Sequence, residues 1–513
     1  MNIKKSQNIN VFLYCLIILV NTYKIILINS GFLTEPDERR YLMSWRLLNK
    51  LLHGDFTTAI QAVFSANGRP GSIILHTIPA GFQFITAKIF GLELLESQNA
   101  APVFLYNFFI NILILFFLYK ILKYLYQDKT IALFGVLFYS VLVNNFSYLR
   151  HIYPYNEALL IFLYLIYRLL KQHYQNYKLL LSKAFLFDMI SFGGILIYPA
   201  YYLSFLAVYL FFNFLLIKQK IEINQIIKLN LGYITGSLLL LFATEFLSRL
   251  GHHSYINNVI LLSKTVTQGS FNETYIFIFK YLWQVEHWTG LLLIIGLTTA
   301  GIMVFKTKKC KTDNKYLIFS IFISFLIPYL YYVSNGYFGH KVVMYGRILH
   351  QFIIPAIVIS LWPLDLIKKQ KRKFIIIALS LLISIQFYFQ IQNYLQIGYP
   401  RDVYWHYLKN YPRSQIKEIT EYKNAWSNLP QKLDSIYINH DKKDTITIVN
   451  GQYFYPVNSY KLYKKYSPEK NKTLIYQKPH FINYKAYQFE GYDQKARNIL
   501  DSLQLKIKIY KQS

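Results

Sequence analysis

The chain reads first as a succession of apolar stretches. Each approaches the roughly 20 residues that a helix rising 1.5 Å per residue needs to cross a hydrocarbon core about 30 Å thick. Eleven runs stand out, at residues 11–29, 102–124, 131–148, 156–170, 184–199, 201–217, 231–247, 289–305, 316–333, 348–363 and 374–391. The pattern predicts an all-α polytopic membrane protein of about eleven transmembrane helices. The fourth, fifth and tenth runs are short and lean on interfacial aromatics such as Tyr198, Tyr201, Tyr202 and Trp362. No small-residue cleavage site follows the first run, so it is expected to stay as an anchor.

Two segments, 30–101 and 392–513, are too polar and too long to be simple connectors. In the first, Pro36 to Leu52 and Ser72 to Phe90 are amphipathic and are expected to lie in the membrane interface; His76, Pro79, Gln83 and Lys88 argue against the second crossing. In the last segment, alternation over Thr445 to Val449 and helical periodicity near Gln494 to Leu505 predict a small α/β domain. The division is therefore a transmembrane domain over 1–391 and a C-terminal domain over 392–513.

Composition narrows the class. With 54% hydrophobic and 16% charged residues, 22 Gly and 2 Cys, the chain is neither disordered, nor collagen-like, nor a disulfide scaffold. Cys15 sits in an apolar run and Cys310 in a basic one, so no redox pair or zinc spacing arises. A net charge of +30 would suggest nucleic acid in a soluble protein, but here the cations sort by loop. Lys4 and Lys5, Lys120 to Lys129, Arg168 to Lys183, Lys218 to Lys228, Lys306 to Lys315 and Lys368 to Lys373 fall on alternate sides from the sparser Arg150, Arg249, Lys264, Lys280, Lys341 and Arg347. The positive-inside rule then places the N-terminus in the cytoplasm and both long segments outside. Membrane lipids, and no nucleic acid, are the expected partners. Few cysteines and no organelle signal favour a bacterial inner membrane.

Candidate chemistry gathers on the outer side. The string Thr34-Glu35-Pro36-Asp37-Glu38-Arg39-Arg40-Tyr41 is a good helix start, with acids at the favourable end of the dipole. Ionisable groups beside a membrane are also functional candidates by default. Arg69, Arg150, Lys341 and Arg347 break the charge trend, and each either snorkels to head groups or binds phosphate. Arg150 adjoins His151 and the Tyr153-Pro154-Tyr155-Asn156-Glu157 string, and Arg347 precedes His350. Glu157 and Glu245 are expected to pair with Arg150 and Arg249, and Lys24 lies close enough to a span end to snorkel. Trp283-Gln284-Val285-Glu286-His287-Trp288 reads as an aromatic belt, with Glu286 and His287 as candidate acceptor contacts. Asn145, Asn272 and Asn471 open N-x-[ST] triplets that an Asn-rich chain produces by chance. No fixed metal spacing appears, so no cofactor is assigned and a divalent metal has no motif behind it.

Over roughly its first 390 residues the chain resembles the C-type (GT-C) multi-spanning glycosyltransferases that use polyprenyl-phosphate-linked sugars, among them protein O-mannosyltransferases and lipid A aminoarabinose transferases. The resemblance rests on Asp37, Glu38 and Tyr41 opening a long first outer loop, Arg69-Pro70-Gly71 later in it, Tyr153 to Glu157, and Arg347 ahead of Pro355. Gly71 stands where many relatives carry a second proline. The resemblance implies Asp37 as the base with Glu38 orienting it, and Arg150, Arg347, Lys341 and Arg69 on the donor phosphate. Tyr41, His151, Tyr153, Glu286, His287 and His350 would contact sugar or acceptor. The partners would be a polyprenyl-phosphate-linked sugar and a lipid, glycan or protein acceptor, with inversion at the anomeric carbon. The rivals are a polysaccharide polymerase or ligase, a lipid or glycan transporter, and a non-catalytic assembly protein anchored in the membrane.

Overall fold

A computed structural model describes residues 2–27, 40–65, 69–91, 101–174, 181–267, 275–306, 313–339, 346–398, 416–420, 446–450, 470–491 and 494–512. In chain order the helices are α1 (Asn2–Tyr23), α2 (Leu42–Leu52), α3 (Phe56–Phe64), α4 (Pro70–Leu75), α5 (Thr77–Phe90), α6 (Ala101–Tyr126), α7 (Lys129–Val141), α8 (Val143–Ser147), α9 (Tyr155–Tyr174), α10 (Leu181–Ile197) and α11 (Tyr202–Lys218). They continue as α12 (Ile223–Leu250), α13 (Tyr255–Thr267), α14 (Phe277–Gln284), α15 (His287–Lys306), α16 (Asp313–Gly339), α17 (Gly346–Ser360), α18 (Trp362–Leu366) and α19 (Lys369–Gln396).

Local chemistry sets several boundaries. The Asp55 carboxylate accepts from Thr58 N at 3.1 Å to start α3, and Asp128 accepts from Thr130 N at 2.7 Å to start α7. Pro70 takes the first turn of α4, where its missing N–H costs nothing. Gly91, at φ +63°, ends α5 in the left-handed conformation. Asp128 also takes Arg372 Nη2 at 2.5 Å, tying the start of α19 to that of α7 at one end of the bundle.

The chain is a multi-pass membrane protein. Among the described residues eight helices are long and apolar enough to cross a bilayer, or nine if α7 and α8, bent by 57°, form one broken span. Seven of the eight match runs read from the sequence. The eighth, Pro70–Phe90, does not; it has the length and composition of a span, whereas the sequence reading expected it to lie in the interface. His76 and Gln83 are buried against the protein, whereas Ile74, Ile78, Phe82, Ile85 and Ile89, at helical spacing, face outward. The runs at 156–170, 184–199 and 289–305 do form helices (α9, α10, α15). Glu157, Arg168 and Lys171 make α9 more polar than a simple span, and α10 has only 17 residues.

Helices cannot be driven together in lipid by hydrophobicity alone, so close backbone approach matters. Gly232 and Gly236, one turn apart on α12, supply it against α10: a Cβ at Gly236 would collide with the Phe185 carbonyl. Gly71 behaves alike, since a Cβ there would stand 2.9 Å from Ile197 N. Steric fit to the end of α10 thus accounts for glycine at this position. The centre of the bundle is formed by α7 and α17, most of whose side chains are buried, with α9 and α11 each burying one face against them.

Beyond α19, Gly398 bridges to His480 and a four-stranded sheet follows in the order β1-β2-β4-β3. Its strands are β1 (Ile416–Thr420), β2 (Ile446–Asn450), β3 (Lys472–Pro479) and β4 (Lys506–Gln512), with β1–β2 parallel and the other two pairings antiparallel. Two helices, α20 (Lys485–Gly491) and α21 (Gln494–Leu503), complete this part. The α/β expectation and the strand and helix read from residues 445–449 and 494–505 agree with it. Tyr487 and Phe489 of α20 are buried against the end of the bundle opposite Asp128 and Arg372.

Candidate functional site

The site is built on the α7–α8 break. Leu142 adopts extended backbone (φ −67°, ψ 140°) between the two helices, which frees the first N–H groups of α8. Glu286, wholly buried, supplies what they lack: Oε2 accepts from Val143 N and Oε1 from Asn144 N, each at 2.8 Å. Asn144 Nδ2 donates to the Tyr281 hydroxyl at 2.8 Å. From the other side Lys24 Nζ donates to Asn145 Oδ1 and, at 3.0 Å, to Asn21 Oδ1. A short helix is thus held at its start and middle by two remote ionisable side chains. The chain leaves it through Tyr148-Leu149-Arg150 toward the Tyr-Pro string.

Three of the four sequence-nominated cations converge where that string emerges. Arg69 lies 4.7 Å from the Tyr198 ring centre, Tyr198 lies 4.6 Å from Tyr155, and Arg347 lies 5.8 Å from Tyr155. Two arginines from distant segments therefore flank one pair of tyrosines. Arg150, 5% exposed, lies 5.2 Å from the Tyr394 ring, which stacks on Tyr487. The His151 ring stacks on Tyr153 at 4.8 Å, and its Nε2 meets the Tyr487 hydroxyl at 2.8 Å. Arg347 is engaged by the C-terminal domain: Nε lies 3.2 Å from Glu490 Oε2 and Nη2 donates to Glu490 O at 3.3 Å, while the Tyr148 hydroxyl donates to Glu490 Oε1. Burial pushes the Glu490 carboxyl up, against the pull of Arg347. Arg69 differs, because its Nε is buried without a hydrogen-bond partner among the described residues.

Compared with known protein families, curated proteins and solved structures, the chain matches none. Its chemistry has to be argued from its own side chains.

The remaining nominated residues separate. Asp37, Glu38 and Lys341 lie outside the described residues. Tyr41 is buried, donating to Gln83 Oε1 at 2.5 Å beside Trp45 Nε1 at 2.9 Å, so it packs α2 on α5 instead of facing a ligand. Glu286 caps a helix, and with both carboxylate oxygens committed it is not an acceptor contact. His287, at φ +50°, is exposed and lines a cleft beside Trp288. His350 is fully enclosed, taking the Tyr201 hydroxyl at Nδ1 (2.5 Å) with the Tyr139 hydroxyl 3.5 Å from Nε2, which removes it from the sugar contacts. Lys24 does not snorkel but turns inward, 1% exposed. Arg249 pairs with Glu245 at 2.7 Å as expected, but Glu157 pairs with His76 at 2.9 Å and not with Arg150. Asn145 is buried, so its triplet is no modification site.

Sequence reasoning therefore missed His76 and Glu490. His76 carried a signal in its place about two turns past Arg69-Pro70, inside an otherwise apolar stretch, where a buried imidazole needs a partner. Glu490 carried none, because its role depends on how the C-terminal domain docks. Among the described residues no three His, Cys, Asp or Glu side chains gather as a metal site.

Proposed function

We propose that the protein is a C-type membrane glycosyltransferase. It moves a sugar from a polyprenyl-phosphate donor to an acceptor hydroxyl at the outer face of a bacterial inner membrane, with its N-terminus in the cytoplasm. The observation that carries this reading is the convergence of Arg69, Arg150 and Arg347 on one tyrosine-rich end of the bundle, with Arg69 Nε unmet. Planar guanidinium groups suit phosphate oxygens, and in a site that excludes water they stabilise the charge that builds on a leaving lipid phosphate. The acceptor oxygen attacks the anomeric carbon from the face opposite the phosphate and gives up its proton to a carboxylate, for which Asp37, oriented by Glu38, is the candidate. The bond from the anomeric carbon to the phosphate oxygen breaks with its electron pair on the phosphate, and the sugar is inverted. Tyr153, the partly exposed ring of the Tyr-Pro string, offers an aromatic face for a pyranose.

One observation favours a transporter instead. Lys24 is a buried ionisable side chain within the first span, and such groups inside membrane segments often mark substrate paths. Mass spectrometry of surface glycans and lipid-linked sugars separates the two readings. Wild type, deletion, Asp37→Asn and Arg69→Ala strains are compared at matched protein level. A transferase loses one sugar from a glycan and accumulates its lipid donor in all three mutants. A silent Asp37→Asn, with Lys24→Met reproducing the deletion, would replace it by the transporter.

A further inference from the structure

A cleft of about 440 Å³ opens between the start of α15 and the second half of α19, and Tyr484 of the C-terminal domain closes one end. Its volume is within the range of ligand sites, roughly 300–1,000 Å³. At about 30 Å³ per water-sized group it takes on the order of fifteen such groups, a small head group with part of one chain. The mouth is apolar and continuous with the lipid-facing surface: Trp288, Ile385 and Phe389 are each more than half exposed. No lysine or arginine lines it; the polar side chains are His287, Gln386, Gln390, Asn393 and the Tyr484 phenol.

These amides are not equally committed. Gln386 accepts from Thr289 N at 3.0 Å and donates to Glu286 O at 2.6 Å, so both ends are used. Gln390, 6% exposed, donates to Val285 O at 3.3 Å, but its Oε1 has no partner among the described residues. An unmet acceptor in an uncharged, lipid-side cleft calls for a neutral donor, and a phosphate has none to offer. We propose that this cleft binds a lipid with an uncharged, hydroxyl-bearing head group. As the seat of the acceptor this rests on the transferase reading. Tyr484 lies 5.2 Å from the Tyr394 ring that carries Arg150 on its other contact, so a hydroxyl held here stands one aromatic layer from the arginine cluster.

The test uses the full chain in phosphatidylcholine vesicles containing a minor fraction of photoreactive diacylglycerol, or of phosphatidic acid with the same reactive chain. After irradiation, diacylglycerol is expected to label peptides covering Leu382 to Asn393 and Trp288 more strongly than phosphatidic acid does. Leu382→Trp, at a position 45% exposed and so tolerant of bulk, fills the mouth and abolishes that label. Gln390→Leu lowers it about tenfold, the upper worth of one neutral hydrogen bond. Equal labelling by both lipids that survives Leu382→Trp is annular lipid only and overturns the site, as does no label there. Labelling needs no turnover, so normal labelling alongside a silent glycan phenotype would sink the transferase reading and leave the cleft standing.

Discussion

Replacing one partner of Arg347 and Glu490 tests whether the C-terminal domain is locked onto the bundle by charge. At 3.2 Å, with side chains only 17% and 21% exposed, the Coulomb attraction is on the order of 5 kcal/mol at an effective dielectric of about 20. Desolvation takes back most of it, since burial raises the Glu490 carboxyl in spite of Arg347. The pair should therefore be worth little as a pair and much to break. Arg347→Met leaves the carboxylate with the Tyr148 hydroxyl alone and is expected to cost about 2–4 kcal/mol of docking. Glu490→Gln keeps acceptors for both neighbours and should cost about 1 kcal/mol. The double variant Arg347→Met/Glu490→Leu should recover at least ~1 kcal/mol over the sum of its single changes. Hydrogen exchange across residues 481–491 in the full chain, in lipid nanodiscs, reads the docking directly. Strictly additive losses would refute the argument, because they would show that the two side chains do not act on each other.

Burial holds His480 at about 3, below its ordinary 6.5, and its Nδ1 accepts from Ile482 N, so the folded domain requires the neutral ring. The sign follows: its stability is fully present above pH 6.5 and drains as pH falls toward 3, about 2 kcal/mol lost by pH 5, and protease protection of the domain should follow that profile in wild type but not in His480→Leu. Glu490 works the other way, its raised carboxyl favouring docking below the ordinary glutamate range and weakening it as pH rises. Glu286→Ala orphans Val143 N and Asn144 N and should cost about 2–4 kcal/mol in a melt of the purified protein, with Glu286→Gln intermediate; equal melts would remove the capping role. Gly236→Val should cost about 1–3 kcal/mol through the Phe185 carbonyl, whereas Gly193→Ala, with open space around it, should be nearly silent in the same assay.

Much of the architecture was legible because lipid imposes a length and a composition that a sequence displays openly. The helices at 102–124, 201–217 and 374–391 needed nothing more. Polarity alone did not show which way each side chain faces. His76 and Gln83 were weighed as obstacles to a span, yet periodicity already put Ile74, Ile78, Phe82, Ile85 and Ile89 on one stripe and left the polar residues to the other face. The cations were found by their position in loops, which is a one-dimensional signal, and three of them do meet in space. The carboxylates were not sorted as well. Glu286, Glu157 and Glu490 differ in what they satisfy (two backbone N–H groups, an imidazole, a guanidinium), and those partners lie 143, 81 and 143 residues away. No local pattern carries such pairings.

Arg69 and Arg347 face opposite members of one tyrosine pair, Tyr198 and Tyr155, but differ in what else they hold, and that difference separates binding from stability. Arg347 spends its guanidinium on Glu490, so Arg347→Gln should loosen the C-terminal domain and weaken binding of sugar-free polyprenyl phosphate together. Arg69 contributes its face to Tyr198, a contact of about 0.5–1 kcal/mol, while its Nε meets nothing among the described residues. Arg69→Gln should therefore hold its melting behaviour to within about 1 kcal/mol of wild type and still lose binding by tenfold or more, since one charge-assisted hydrogen bond is worth about 1.5–3 kcal/mol. Titration of the phosphate lipid into nanodisc-held protein, paired with a melt of the same sample, reads both quantities. Unchanged binding with a lowered melt would make Arg69 a packing residue of the Tyr198 ring and take away the strongest single support for phosphate at this end of the bundle.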